Sequence, residues 1–363
     1  MALEQEGCRI VFSTDINKKK LEIYAENFDS SDFNCSDIRG LTGSDIPEID
    51  IATASFPCTD LSLAGNRAGL AGSASSVLLE FLRVLKEMRE YRPSVVMLEN
   101  VTGFVTSSGG RDLYRAVHEL NKLGYHCDLL LLDAKWFVPQ SRQRVFIVGS
   151  VETRSEETIS PPDFAHPAFV RNFIRNHPDL DWQYFPLPTP TVRQATLDMV
   201  VERLDQLDQS WWDEKRLKDF VASLSPIQAK RLDQLRCSPH IRFSTAYRRT
   251  RRGNATWEIR SDDISGCLRT NGGGSSKQAL VEAGLGDVRV RWMTAREYAR
   301  LQGVPFFKFR SATESQAKFA FGDGVCVPAV TWLARHCLVP QANRLANYIS
   351  TNQIQNTTSV MTA

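Results

Sequence analysis

No apolar run in this 363-residue chain reaches the roughly 18 to 20 residues that cross a bilayer, and no basic-then-apolar leader opens it. A spanning helix and a secretory signal are thereby excluded; the expected compartment is the cytoplasm, with no membrane among the partners. No Cys-x-x-Cys pair occurs either. The eight cysteines (Cys8, Cys35, Cys58, Cys127, Cys237, Cys267, Cys326, Cys337) are scattered, which supports neither a zinc site nor a disulfide framework, and no metal is expected. Charge of one sign is scarce: the formal net charge is only +2, so any hold on nucleic acid must come from a local basic surface. No internal repeat is found. What is present is an ordinary apolar content of 42%, enough for a substantial core in one large domain or two.

Up to residue 151 the pattern alternates. Strands are expected at Arg9–Phe12, Ile49–Ala54, Ser94–Leu98, Cys127–Leu132 and Val145–Gly149, and helices at Lys18–Phe28, Val77–Tyr91 and Leu113–Leu123. Such alternation implies an α/β fold with a mostly parallel sheet covered on both faces, and ligands beyond the carboxyl ends of its strands. From residue 152 to 287 the pattern gives way to proline-rich connections, short helical pieces and a basic stretch, which reads as a smaller inserted domain. Order returns over 288–343, expected to complete the core, and residues 344–363 read as a frayed polar tail.

Several short motifs fall at strand ends. Pro57-Cys58 follows the expected strand Ile49–Ala54, Glu99-Asn100-Val101 follows Ser94–Leu98, and Pro139-Gln140-Ser141-Arg142-Gln143-Arg144 leads into Val145–Val148. Two arginines at i and i+2 on extended backbone point to one side. In Arg291–Pro305, Thr294 and Glu297 form a capping box and Gly303 with Pro305 ends the helix, a structural account sufficient in itself. Phe321-Gly322-Asp323-Gly324-Val325 makes a turn before the last helix. Taken alone each has a bland explanation: a buried thiol, a strand-end cap, a solvated strand edge. In this order they resemble the cytosine-5 DNA methyltransferase family, of the bacterial restriction-modification type.

The resemblance implies a Rossmann-like core that uses S-adenosylmethionine as methyl donor, with 152–287 as target-recognition domain facing it across a cleft. It implies Cys58 as the nucleophile that adds to carbon 6 of a flipped cytosine, making carbon 5 nucleophilic. Glu99 would serve N3 of the base, protonated or sharing its proton; Arg144 would reach the base carbonyl or a phosphate, and Arg142 would support the active-site loop. On the donor side it implies Asp15 for the ribose, Ile16 and Ile38 for the adenine, Asp37 for its amine, and Pro57, Val77, Asp323 and Gly324 around them. Asp323 stands where the family usually has asparagine, so it can accept hydrogen bonds there but not donate them.

The stretch Ala229–Arg260 gathers Lys230, Arg231, Arg236, Arg242, Arg248, Arg249, Arg251, Arg252 and Arg260 against Asp233 and Glu258, with Tyr247 and Trp257 interleaved. A solvated face normally mixes signs, so this reads as a surface for double-stranded DNA, with Arg248, Arg249, Arg251, Arg252, Arg260 and Lys277 as contacts. Gly272 to Ser276 reads as a recognition loop or a flexible connector. The family's opening strand and Phe-x-Gly-x-Gly loop has no counterpart. Met1 to Gly7 is similar to the helix that follows that loop, so a central strand is expected to be missing, as a truncated or misassigned start would leave it. A cognate restriction endonuclease or defence-system partner follows from the family type. Two other functions stay open: a DNA-binding remnant without turnover, and methylation of tRNA cytosine.

Overall fold

The computed structural model describes residues 1–57, 77–151, 163–251, 253–270 and 277–344, apart from the side chains of Arg251, Asn254 and Ala255. Two short parallel strands come first, β1 (Ser13–Thr14) and β2 (Phe33–Asn34), connected through α1 (Lys18–Ala25), whose N-cap Asn17 accepts from the Lys19 amide. There follow β3 (Ile51–Ser55), α2 (Val77–Glu87), β4 (Val95–Val101), α3 (Gly103–Thr106), α4 (Arg111–Lys122), β5 (His126–Asp133) and β6 (Gln143–Ser150). These strands make a sheet of order β3-β4-β6-β5, parallel between β3 and β4 and antiparallel on both sides of β6.

The α/β class is as expected, but parallel pairs do not predominate among the described strands. The link from Asp133 to Gln143 is too short for a crossover helix, so β6 runs back against β5. The expected strand Arg9–Phe12 is also corrected: pairing begins only at Ser13. An extended segment becomes a strand when a neighbour completes its ladder, and β1 pairs with β2 while β3 pairs with β4. Among the described residues no strand lies between β1 and β3; half-buried Ile10, Val11 and Phe12 line the gap instead.

Alternation along the central strands covers both faces of the sheet. Val96, Leu98, Leu129, Leu131, Val145 and Ile147 pack with α2 and α4; Val95, Met97, Leu130, Leu132, Phe146 and Val148 pack with Leu333, Cys337 and Leu338. The next helix, α5 (Ala168–Asn176), sends Val170, Phe173 and Ile174 into the first of these cores, and the Leu131 amide donates to the Ala165 carbonyl at 2.8 Å. The stretch from Asp163 to Leu187, expected in the insertion, thus packs on the first sheet.

Beyond it come α6 (Leu197–Val200), α7 (Glu214–Ala222), α8 (Pro226–Arg236), β7 (Arg242–Arg251), β8 (Asn254–Ile259), β9 (Gln278–Gly284) and β10 (Asp287–Trp292). The strands form a second, antiparallel sheet of order β10-β9-β7-β8, against which Phe220 and Leu232 of α7 and α8 are buried. The chain then returns through α9 (Ala295–Leu301), α10 (Glu314–Asp323) and α11 (Val327–Leu333). Thr294 and Glu297 form the capping box of α9, as its sequence requires. Glu297 also grips Arg291 through two bonds of 2.9 and 2.6 Å, both side chains fully buried. A shared core of Leu197, Phe243, Leu268, Leu280, Tyr298, Leu301 and Phe321 joins the second sheet to the returning helices.

Candidate active site

A cleft of about 2510 Å³ opens along the gap between β1 and β3, bounded by the ends of β4 and β6, the turn after α10 and the hairpin β7–β8. The structure brings Asp15, Ile16, Asp37, Ile38, Pro57, Val77, Glu99, Arg142, Arg144, Arg249, Arg260, Asp323 and Gly324 to its walls. Cys58 lies outside the described residues, as do Arg252 and the segment from Gly272 to Ser276; the side chain of Arg251 does too. Arg248 is exposed and does not line the cleft, and Lys277 lies 5.9 Å over the Trp292 ring.

Glu99 was expected just past a strand but lies within one. It pairs with Phe146 across β4 and β6, two residues from the Val101–Arg144 pair, so Glu99 and Arg144 share a face. Their side chains meet at 3.0 Å between Arg144 Nε and Glu99 Oε1, and both are largely buried. Asn100, on the opposite face, donates through Nδ2 to the Phe56 carbonyl at 3.0 Å and accepts from the Val101 amide at 2.8 Å. The end of β4 therefore fixes the backbone directly before Pro57-Cys58.

Arg142 departs from the simple i, i+2 picture. It precedes β6, is 2% exposed, and its guanidinium donates to the carbonyls of Leu268 at 2.8 Å, Gly322 at 3.2 Å and Gly324 at 2.6 Å. Burial first, and then the like charge of Arg144, pulls its pKa below the ordinary arginine value. A planar fork suits three fixed carbonyls as an ammonium cannot. We expect Arg142→Lys to cost about 1–3 kcal/mol of stability, read as a lower urea midpoint with an unchanged slope.

The wall on which contacts to a methyl donor were expected combines carboxylates with apolar surface. Asp15 accepts from the Asn17 amide at 2.8 Å, Asp37 from the Arg39 amide at 3.0 Å, and each keeps further acceptor capacity. Ile16 is 68% exposed, and the buried Ser36 hydroxyl has no partner among the described residues. Of the basic residues, Arg260 is gripped by Asp262 through bonds of 2.7 and 2.5 Å, and Arg249 lies 3.3 Å from Glu258, which also accepts from Tyr247. Charge counting along Ala229–Arg260 overlooked Asp262, which sits just beyond it. Among the described residues no cluster of His, Cys, Asp or Glu could hold a metal ion, and no helix is long and apolar enough to cross a membrane.

Sequence reasoning passed over three polar side chains that organise this site. Asn100 is one. Gln140, fully buried, donates to the Leu301 carbonyl at 2.8 Å and accepts from the Leu268 amide at 3.2 Å; Gln302 donates to the carbonyls of Phe321 at 2.5 Å and Gly324 at 3.1 Å. All three stood inside motifs whose charged members drew the attention.

The family model for C-5 cytosine-specific DNA methylases matches residues 1–338. The Type II methyltransferase M1.ScrFI of Lactococcus lactis subsp. cremoris is 27% identical over 337 residues, covering 92% of this chain and 73% of the relative. The Type II methyltransferase M.NgoBI of Neisseria gonorrhoeae is 28% identical over 353 residues, with coverage of 96% and 93%. Among solved structures, the S. pombe Dnmt2 methyltransferase aligns with a TM-score of 0.59 at 18% identity over 93% of this chain and 94% of its own. The Entamoeba histolytica methyltransferase EhMeth aligns with a TM-score of 0.57 at 13% identity, with coverage of 90% and 88%. At such identities the structural likeness speaks for the fold alone, whereas the family match over nearly the whole described chain speaks for descent: the chain belongs to the C-5 cytosine-specific DNA methylases and is a DNA cytosine-5-methyltransferase of the restriction-modification type.

Proposed function

We propose that the cleft transfers a methyl group to carbon 5 of a cytosine flipped out of a specific duplex DNA sequence, through a covalent bond between Cys58 and carbon 6. The observation that carries this reading is the Glu99–Arg144 pair lining the cleft, with Asn100 beside it holding the Phe56 carbonyl. A base entering there meets a carboxyl group able to bond N3 and the exocyclic amine, and a guanidinium able to bond the carbonyl. When the Cys58 sulfur adds to carbon 6, the electron pair moves through carbon 5, and Glu99 steadies the charge or supplies a proton at N3. Carbon 5 then takes the methyl group, loses its own proton to water, and the thiolate leaves as the carbon 5–carbon 6 double bond returns.

S-adenosylmethionine is the methyl donor of this family and supplies an electrophilic methyl on a sulfonium. The residues present fit its nucleoside end. Asp15 and Asp37 offer acceptors for ribose hydroxyls and an exocyclic amine, Ile16 and Ile38 an apolar surface, and the unpartnered Ser36 hydroxyl a further polar contact. Pro57, Val77 and Gly324 would close round them. The part of the insertion beyond Leu187, up to residue 287, would read the duplex: Arg249 and Arg260 from the cleft side, Arg248, Arg251, Arg252 and Lys277 against flanking phosphates. A cognate restriction endonuclease or defence-system partner is part of the same reading.

Bisulfite sequencing of DNA from cells expressing the chain tests it. We expect protected cytosines confined to one short recurring sequence. Protection no greater than in cells carrying the empty vector would leave the DNA-binding remnant as the better reading, and methylated tRNA beside unmodified DNA would overturn the choice of DNA.

A further inference from the structure

Lys20 occupies a position that nothing so far explains. Its ammonium lies 2.8 Å from Asp15 Oδ2 and 2.8 Å from Asp323 Oδ2. The two carboxylates come from opposite ends of the chain, Asp15 before α1 and Asp323 at the last turn of α10, and both line the cleft. A carboxylate at a helix C-terminus faces the negative end of the helix dipole and is unfavourable unless a cation attends it. Brought together without a cation, Asp15 and Asp323 would also repel each other.

The surrounding bonds show that this is a seam, not a chance contact. Asn27 donates to the Lys308 carbonyl and accepts from the Lys308 amide, each at 2.8 Å, while Glu26 accepts from the amides of Arg310 and Ser311, each at 2.7 Å. The region around α1, bonded to the rest of the molecule by no strand pairing beyond β2 among the described residues, is thus zipped to the returning segment, and Lys20 is the end of the zip nearest the cleft. Burial pulls the Lys20 pKa down, but hydrogen bonds and charges from the two carboxylates outweigh it and the value is raised.

Resting on the donor-site reading above, we propose that Lys20 is a positioning residue. It holds Asp15 on one wall and the Asp323–Gly324 turn on the other at a fixed separation, supplying the cation that an aspartate at position 323 requires. The Lys20 side chain is about a third exposed, so the pair's value lies in geometry more than in binding energy.

The test uses the full chain in five forms: wild type, Lys20→Met, Lys20→Arg, Asp323→Asn and the Lys20→Met/Asp323→Asn double variant. Hydrogen exchange of the amides over 322–325 and calorimetric binding of S-adenosylhomocysteine are measured on each. In Lys20→Met we expect exchange to quicken and affinity to fall, each about fivefold, the size of one partly exposed charge pair. The double variant, which removes the unbalanced carboxylate, is expected to recover most of both, and Lys20→Arg to keep them. If Lys20→Met exchanges and binds like the wild type, or if the double variant is no better than Lys20→Met, the inference is overturned while the donor site stands. A wild-type chain that binds no S-adenosylhomocysteine overturns the donor-site reading, and Lys20's part in it along with that reading.

Discussion

A Cys58→Ala chain is expected to give no covalent complex with duplex DNA carrying 5-fluorocytosine at the target position, where the wild type should form one that survives denaturing electrophoresis. Fluorine at carbon 5 cannot leave as a proton does, so an enzyme that attacks carbon 6 is caught after methyl transfer. Without the thiol there is nothing to be caught. Glu99→Gln should act differently. The amide keeps the shape and one donor but can give up no proton at N3, so the methylation rate is expected to fall by roughly 10²–10⁴ while DNA affinity changes little. The ion pair with Arg144 is lost in the same variant, and Arg144→Met separates the two effects, since it removes the pair but leaves the carboxyl group in place. A covalent complex formed by Cys58→Ala would remove Cys58 from its role, and a Glu99→Gln enzyme of full rate would do the same for Glu99.

The second large effect concerns folding. Arg291 and Glu297 are both fully buried and bonded twice to each other, with Glu297 also accepting from the amides of Glu202 and Thr294 and Arg291 donating to the Glu202 carbonyl. Replacing Arg291 by methionine would strand a carboxylate with its remaining donors in the core. Breaking such a pair from one side costs about 3–5 kcal/mol, whereas replacing both partners by apolar residues costs much less. We therefore expect Arg291→Met to lower the thermal midpoint sharply, and Arg291→Met combined with Glu297→Leu to recover part of the loss less the value of the capping box. Equal melting of wild type and single variant would show that the pair is not held as described.

Much of this arrangement could be read from residue order. Most strand and helix runs of the first 151 residues fell close to their observed places because each carries a local pattern: continuous apolar runs in β4 to β6, helical spacing in α2 and α4. The capping box at Thr294 is likewise written in four consecutive residues. What could not be read depends on partners far along the chain. Arg9 to Phe12 has the composition of a strand yet lacks a ladder, because composition does not report a neighbour. Glu99 looked like a residue after a strand, since the apolar run stops at Leu98, but pairing with Phe146 carries the strand on to Val101. Lys20 gave no signal, and Gln140 and Gln302, though inside motifs, gave none of their contacts: a lysine on a short helix and two glutamines are ordinary until the segments they join are brought together.

The three carbonyls held by Arg142 lie 126, 180 and 182 residues further on in the chain. During synthesis the first sheet can form while that guanidinium still waits, because its partners have yet to leave the ribosome. Arg142 is therefore one of the last buried groups of the first sheet to find its partners, and the turn at Gly322 to Gly324 cannot be fixed against it until the final third of the chain has been made.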